Sequence, residues 1–120
     1  MMKEAKIILP IANNSGESID VLHNRLKKAL CRVFGGYTAT ASNGGWLSPL
    51  GVLHEEPGIV YTVAMDSAGN GRLRVIAQAL ALLASQECIY VQYTSGQVVF
   101  IDSTGIQSAY AWYILNHYKG

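Results

Sequence analysis

Arg72–Gln86, RLRVIAQALALLASQ, decides how this chain is read. At 100° per residue, Leu73, Ile76, Ala77, Leu80, Leu83 and Ala84 form one apolar stripe. Val75, Ala79 and Leu82 form a second stripe, which widens the first into an arc of roughly 220°. Only Arg74, Gln78 and Ser85 leave a narrow polar strip. A helix resting on a protein surface needs an apolar stripe of only about 100°. This one is therefore expected to be covered from two directions, by a terminal helix or by a second subunit.

The preceding helix is one-sided. Ile19, Leu22, Leu26, Ala29, Leu30 and Val33 share a single stripe, with Arg25, Lys28 and Arg32 along its flank. Ser18 is its expected N-cap, Asp20 suits the positive end of the helix dipole, and Gly35-Gly36 stops it near Phe34. Ala5–Ile11 reads as a strand buried on both faces, and Asn13–Gly16 as a loop. Tyr37–Ser42 is β-prone and Asn43-Gly44-Gly45 is a turn signal. Trp46–Leu53 could resume a strand that Pro49 confines to an edge or bulge; His54–Gly58 reads as a turn and Ile59–Met65 as a strand. Asp66–Gly71 is a loop. Cys88–Tyr93 and Gln97–Asp102 form a hairpin around Thr94-Ser95-Gly96, and Ser103 or Thr104 could cap a last helix, Gly105–Tyr118.

The order is β-α-β-β-α-β with an extra strand and a C-terminal helix. Two β-α-β halves of similar length predict a ferredoxin-like α+β sandwich with both helices on one face of an antiparallel sheet. One domain is expected over residues 1–120, with the core in 1–102 and the added helix in 103–120. That last helix carries no charged residue before Lys119 if His117 is neutral. Tyr110, Trp112, Tyr113 and Leu115, with Val75, Ala79 and Leu82, are the expected interface residues of a homo-oligomer. Exchange of the C-terminal helix is one route to it, and a monomer whose third helix completes the core is the competing reading.

Half the residues are hydrophobic and only 14% are charged, which favours a well-buried chain whose surface is partly hidden by association. A net charge of +1 gives no global field for nucleic acid or an anionic membrane. The distribution is uneven, with Lys and Arg collected in residues 1–34 and only Glu55, Glu56 and Asp66 as charges in 35–70. Cys31 and Cys88 make no disulfide framework and read as reduced, buried thiols in a cytoplasmic protein. No secretory leader is visible at Met1–Glu4, and Leu73–Leu83 is too short and too polar to span a bilayer.

Candidate chemistry is sparse. His54, Glu55 and Glu56 are the one compact group of catalytic residue types, but adjacent turn residues diverge and no further ligand lies at metal spacing. A solvated turn is the preferred reading, and neither metal nor cofactor is expected. Asp66–Arg74 runs into a helix N-terminus where backbone N–H groups can hold an anion. Asn70, Gly71, Arg72 and Arg74, with His54 and Trp46, are the candidate ligand-binding residues. The loop lacks the P-loop lysine and the dinucleotide-binding glycine spacing. Asp66 and Asp102 stand at strand ends, where they more often cap the adjoining loop or helix than work as a pair. Arg25, Lys28 and Arg32, with Tyr90 and Tyr93, are a weak nucleic-acid signal without an RNA-recognition motif.

Phe34-Gly35-Gly36-Tyr37-Thr38, Gly45-Trp46, Val60-Tyr61-Thr62-Val63 and Gln86-Glu87-Cys88-Ile89-Tyr90-Val91 form a pattern across residues 6–102. In it the chain resembles small uncharacterised proteins of phages, plasmids and bacteria grouped as a domain of unknown function. The resemblance implies a ferredoxin-like fold and a mobile-element origin, and brings no catalytic residues. The expected function is a small, non-catalytic, oligomeric binding protein. In a phage it would neutralise a host defence component by binding a protein or sequestering a small nucleotide signal, a step that rests on analogy. The competing expectation is a small enzyme or a nucleotide- or anion-binding protein using the Asp66–Arg74 loop.

Overall fold

The computed structural model describes residues 1–120 as strands β1 (Lys3–Pro10), β2 (Thr38–Leu47), β3 (Leu53–Met65), β4 (Ile89–Gln92) and β5 (Val98–Ile101), with helices α1 (Asp20–Phe34), α2 (Asn70–Leu83) and α3 (Ser108–His117). The strands make one sheet in the order β2-β3-β1-β4-β5, every pair antiparallel. The ferredoxin-like α+β fold is therefore present, with β5 as the extra strand beside β4.

One face of the sheet carries the core. Ala5, Ile7 and Leu9 of β1, Tyr61, Val63 and Met65 of β3, and Ile89 and Val91 of β4 are buried beneath the helices. Their spacing of two residues puts them on one face. The expectation that β1 is buried on both faces is corrected: Lys6, Ile8 and Pro10 alternate with the core residues and are only half-buried. The opposite face has no helix over it.

The two-sided helix is explained within one chain. On α2, Leu73, Ile76, Ala77 and Leu80 are buried along one stripe that the C-cap Ala84 continues, and Ala79 and Ala81 are buried on its two flanks. The most extensive neighbour of α2 is α3, which supplies buried Ala111, Ile114 and Leu115 and also touches α1. Arg32, on the basic flank of α1, fastens the end of α3. Its guanidinium donates to the carbonyls of Leu115 at 3.0 Å and Tyr118 at 3.2 Å, acceptors that the helix end leaves free. Val75 and Leu82 are half-buried against the same cluster. Tyr110, Trp112 and Tyr113 stay exposed.

Several local expectations are corrected. Asn43-Gly44-Gly45 and His54–Gly58 are not turns; they face each other inside one long hairpin, with Gly45 opposite Glu55 and Gly44 opposite Glu56. A two-residue type I′ turn needs positive φ at its centre, and in this hairpin only Gly51 has it, at 81°. The reversal is therefore Ser48–Val52, closed by Ser48 N–H to the Val52 carbonyl at 2.9 Å. Pro49 sits in that loop, so Trp46–Leu53 is the end of the hairpin and not a resumed strand. Ser18 lies one residue before the N-cap Ile19, although its hydroxyl still accepts the Asp20 N–H at 3.3 Å. The last helix starts at Ser108 after Gln107, because Gly105 takes a positive φ of 83° that breaks the helix before it begins. The expected burial of both thiols is corrected too, since Cys31 is exposed and Cys88 half-buried.

Residues 43–57 of the hairpin extend past the end of β1, whose pairing with β3 stops at Pro10–Gly58. They form an arm held by its own ladder and, at its root, by the Ile11 N–H donating to the Pro57 carbonyl at 3.1 Å.

Candidate functional site

The root of the arm and the uncovered face of the sheet enclose a cleft of about 400 Å³. Register places its residues. Ile8 of β1 pairs with Val60 of β3 and Tyr90 of β4, and Tyr90 pairs with Phe100 of β5. These side chains share the uncovered face, and Tyr90 and Phe100 meet edge to face with centroids 5.8 Å apart. On the arm side, Ser42 opposite Gly58 and Gly44 opposite Glu56 bring a hydroxyl and a carboxylate to the same face. Asn43, Pro57 and Cys88 complete the wall.

Gly58 is what allows the arm to leave the sheet so close to β1. A Cβ built there would come within 3.1 Å of the Leu9 carbonyl oxygen and 3.3 Å of Ser42 Oγ. A side chain there needs the ladder to give by a few tenths of an ångström, which a backbone carbonyl held in a strand pair resists. The cleft combines apolar and aromatic walls with a few polar groups, the usual composition of small-molecule sites, which occupy about 300–1,000 Å³. Burial pushes the Cys88 thiol pKa upward, helped by the negative charges of Glu87, Asp102 and Glu56. A thiol held protonated in this way is a poor nucleophile.

A second cleft, of about 430 Å³, lies on the helical side between α1, β2 and β3, lined by Asp20, Asn24, Lys27 and Tyr61 among others. His23 and Tyr61 form its inner wall. The Pro10 carbonyl can only accept, so His23 Nε2 carries the proton and donates to it at 2.7 Å. Nδ1 is then the acceptor for the Tyr61 hydroxyl at 2.6 Å. Burial, with Tyr37 adding, pushes the Tyr61 pKa up to about 12. Every polar atom of the pair is used internally, which describes a satisfied core pair better than a reacting one.

The residues singled out from sequence fall in two places. Trp46 and His54 are cross-strand partners on the arm, stacked at 4.3 Å and 14°, and they lie farther out than Gly44–Glu56 on the same face. Asn70, Gly71, Arg72 and Arg74 lie at the start of α2. The Asn70 amide is engaged by Thr94, donating to Oγ1 at 3.0 Å and accepting the Thr94 N–H at 3.1 Å. Arg72 lies over the Phe34 ring at 5.5 Å. Asp66 accepts the Ala68 N–H and Asp102 the Thr104 N–H, so each caps its own turn. No group of three or more His, Cys, Asp or Glu is placed to hold a metal ion.

Sequence reading missed the cleft because its residues come from five strands and carry no spacing of their own. It missed His23 although the signal was there: His23 lies between Leu22 and Leu26, four residues after Ile19, on the apolar stripe of α1.

The fold and cleft define a small ferredoxin-like α+β protein with a site of small-molecule size on its uncovered sheet face. No family model and no curated protein matches the chain, so the family suggested by its short motifs finds no support at that level. Among solved structures, the chain is similar to a phage SAM lyase in complex with S-methyl-5′-thioadenosine, with a TM-score of 0.65 and 15% identity over 88% of this chain and 93% of that one. It is also similar to a phage SAM lyase in the apo state, with a TM-score of 0.60 and 14% identity over 87% and 91% of the two chains. The shared fold is thus one used by a phage protein. It corrects the expectation of a non-catalytic binding protein, because the structures that match are those of an enzyme. The competing expectation of a small enzyme or nucleotide-binding protein is the one this finding favours. No helix is long and apolar enough to cross a membrane.

Proposed function

We propose that this protein is a small enzyme that binds S-adenosylmethionine (SAM) in the open-face cleft and cleaves it as a lyase, releasing S-methyl-5′-thioadenosine. One observation carries the reading: the fold coincides with that of a SAM lyase over most of both chains, including one holding that nucleoside. The cleft suits such a ligand. Adenine is flat and apolar on its faces, and Tyr90, Phe100, Ile8 and Pro57 offer flat and apolar walls. The Asn43 amide and the Ser42 hydroxyl supply hydrogen-bonding groups for a base edge or a ribose.

The chemistry asks little of acid or base. When the bond between the sulfonium sulfur and the methionine-derived chain breaks, the electron pair goes to sulfur and the thioether leaves neutral. A leaving group that needs no proton can be expelled by positioning and by removal from water. This agrees with a cleft that holds no catalytic dyad. The test is to incubate the purified protein with SAM and follow S-methyl-5′-thioadenosine by chromatography. Accumulation in proportion to protein is expected. No product, together with no thermal stabilisation by SAM or by S-methyl-5′-thioadenosine, would reject the reading.

We also infer that copies of the chain associate through the arm and act in the cytoplasm, where SAM is found. Trp46, Leu47, Leu50, Val52 and Leu53 are each more than half exposed. They gather at the tip of one hairpin, Leu47 and Leu53 as a cross-strand pair, and clustered exposed apolar groups mark contact surfaces. The tip of the arm, residues 46–53, lines none of the cleft, so two copies that meet tip to tip leave it open.

A further inference from the structure

The cleft has one charge. Of its eleven lining residues only Glu56 is a carboxylic acid, and none is a lysine or arginine. The remaining walls include Tyr90 and Phe100, whose π faces attract cations as well as flat rings. The surrounding field has the same sign: Glu87, Asp102 and Glu56 all act on Cys88 to disfavour its thiolate. An apolar ligand that fills the cleft takes water away from Glu56, and an anion losing water needs a positive partner.

Resting on the reading of the cleft as an adenosyl site, we propose that Glu56 is its specificity-determining residue and selects a cationic adenosyl ligand over its neutral thioether counterpart. The two differ at the sulfur. The substrate carries a sulfonium charge; after C–S cleavage the bonding pair belongs to sulfur and that charge is gone. The carbon left behind is satisfied within its own fragment, by a bond from its own carboxylate oxygen or by a C=C bond whose displaced proton passes to bulk solvent, so no water is consumed. Glu56 therefore holds the ligand before cleavage and loses its hold afterwards. The residue would act on binding and release, and would transfer no proton.

The test uses calorimetric titration of the full-length protein with ligands it cannot cleave. Sinefungin keeps a positive charge at the position of the sulfonium, S-adenosylhomocysteine has a neutral thioether there, and S-methyl-5′-thioadenosine lacks the amino-acid tail. Wild type is expected to bind sinefungin about tenfold more tightly than S-adenosylhomocysteine, a preference that shrinks with added salt. Glu56→Gln should remove the preference and leave S-methyl-5′-thioadenosine binding unchanged. Glu55→Gln, on the opposite face of the same strand, should keep it. Equal binding of sinefungin and S-adenosylhomocysteine by wild type would overturn the proposal and leave the adenosyl site standing. A preference that survives Glu56→Gln would overturn it equally. Binding of none of the three would reject the adenosyl site itself, and the proposal with it.

Discussion

At the scale of single residues, the Tyr61–His23 pair ties β3 to α1 and β1 through two short hydrogen bonds. Tyr61→Phe keeps the ring and its packing but leaves Nδ1 of a buried imidazole without a donor, a loss of about 1–3 kcal/mol. The effect depends on pH in a defined direction. The Tyr61 pKa rises from 10.0 to about 12 on folding, so the neutral phenol stabilises the fold fully below pH 10. That contribution fades as pH climbs from 10 to 12, because the folded protein then holds a proton that the unfolded chain has already released. Urea unfolding of wild type and Tyr61→Phe should therefore show a stability gap at pH 9 that narrows by pH 12. A gap that stays constant would mean that Tyr61 ionises in the folded protein as it does in the unfolded chain. Gly58 gives a second prediction. Gly58→Ala forces its Cβ against the Leu9 carbonyl, and should lower both the melting temperature and ligand affinity, because it moves the arm root that lines the cleft.

At the scale of elements, α3 is as much a part of the core as α2. Leu115→Ala empties a fully buried site between helices, with an expected loss of about 2–5 kcal/mol in chemical denaturation. Leu115 shows how far sequence alone could go. The wide apolar arc on α2 required a second cover, and the charge-free segment after Ser103 was the natural candidate; both readings rest on helical periodicity, which is local. Sequence could not decide between cover from the same chain and cover from a neighbour, since an apolar face is identical in both cases. The hairpin was misread for a related reason. Asn43-Gly44-Gly45 has the composition of a tight turn, but composition cannot tell a turn from a strand whose partners, Glu55–Pro57, lie farther along the chain. Register with β3, which is a long-range property, decided it. The cleft was illegible for the same cause, as Ile8, Ser42, Glu56, Cys88 and Tyr90 become neighbours only once four strands are paired.

At the scale of the whole molecule, a long axis of 44 Å against a short one of 24 Å leaves the arm well placed to reach a neighbour. Light scattering should give a mass above that of one 13.0 kDa chain. Leu47→Ser with Leu53→Ser should return the monomer without altering the circular dichroism spectrum. A monomeric wild type would reject association through the arm. The strand order has one more consequence, and it concerns time. β1 lies in the middle of the sheet, and its two neighbours are separated from it in sequence by α1 and β2 on one side and by α1, β2, β3 and α2 on the other. As the ribosome delivers the chain, β1 cannot find β4 until Ile89–Gln92 have emerged. Closing loops of that length makes sheet formation the slow step of folding. Until Leu53–Met65 have emerged the apolar run Ile7-Ile8-Leu9 has no strand partner, and until Ile89–Gln92 follow it has one of its two, which leaves it open to a chaperone during synthesis.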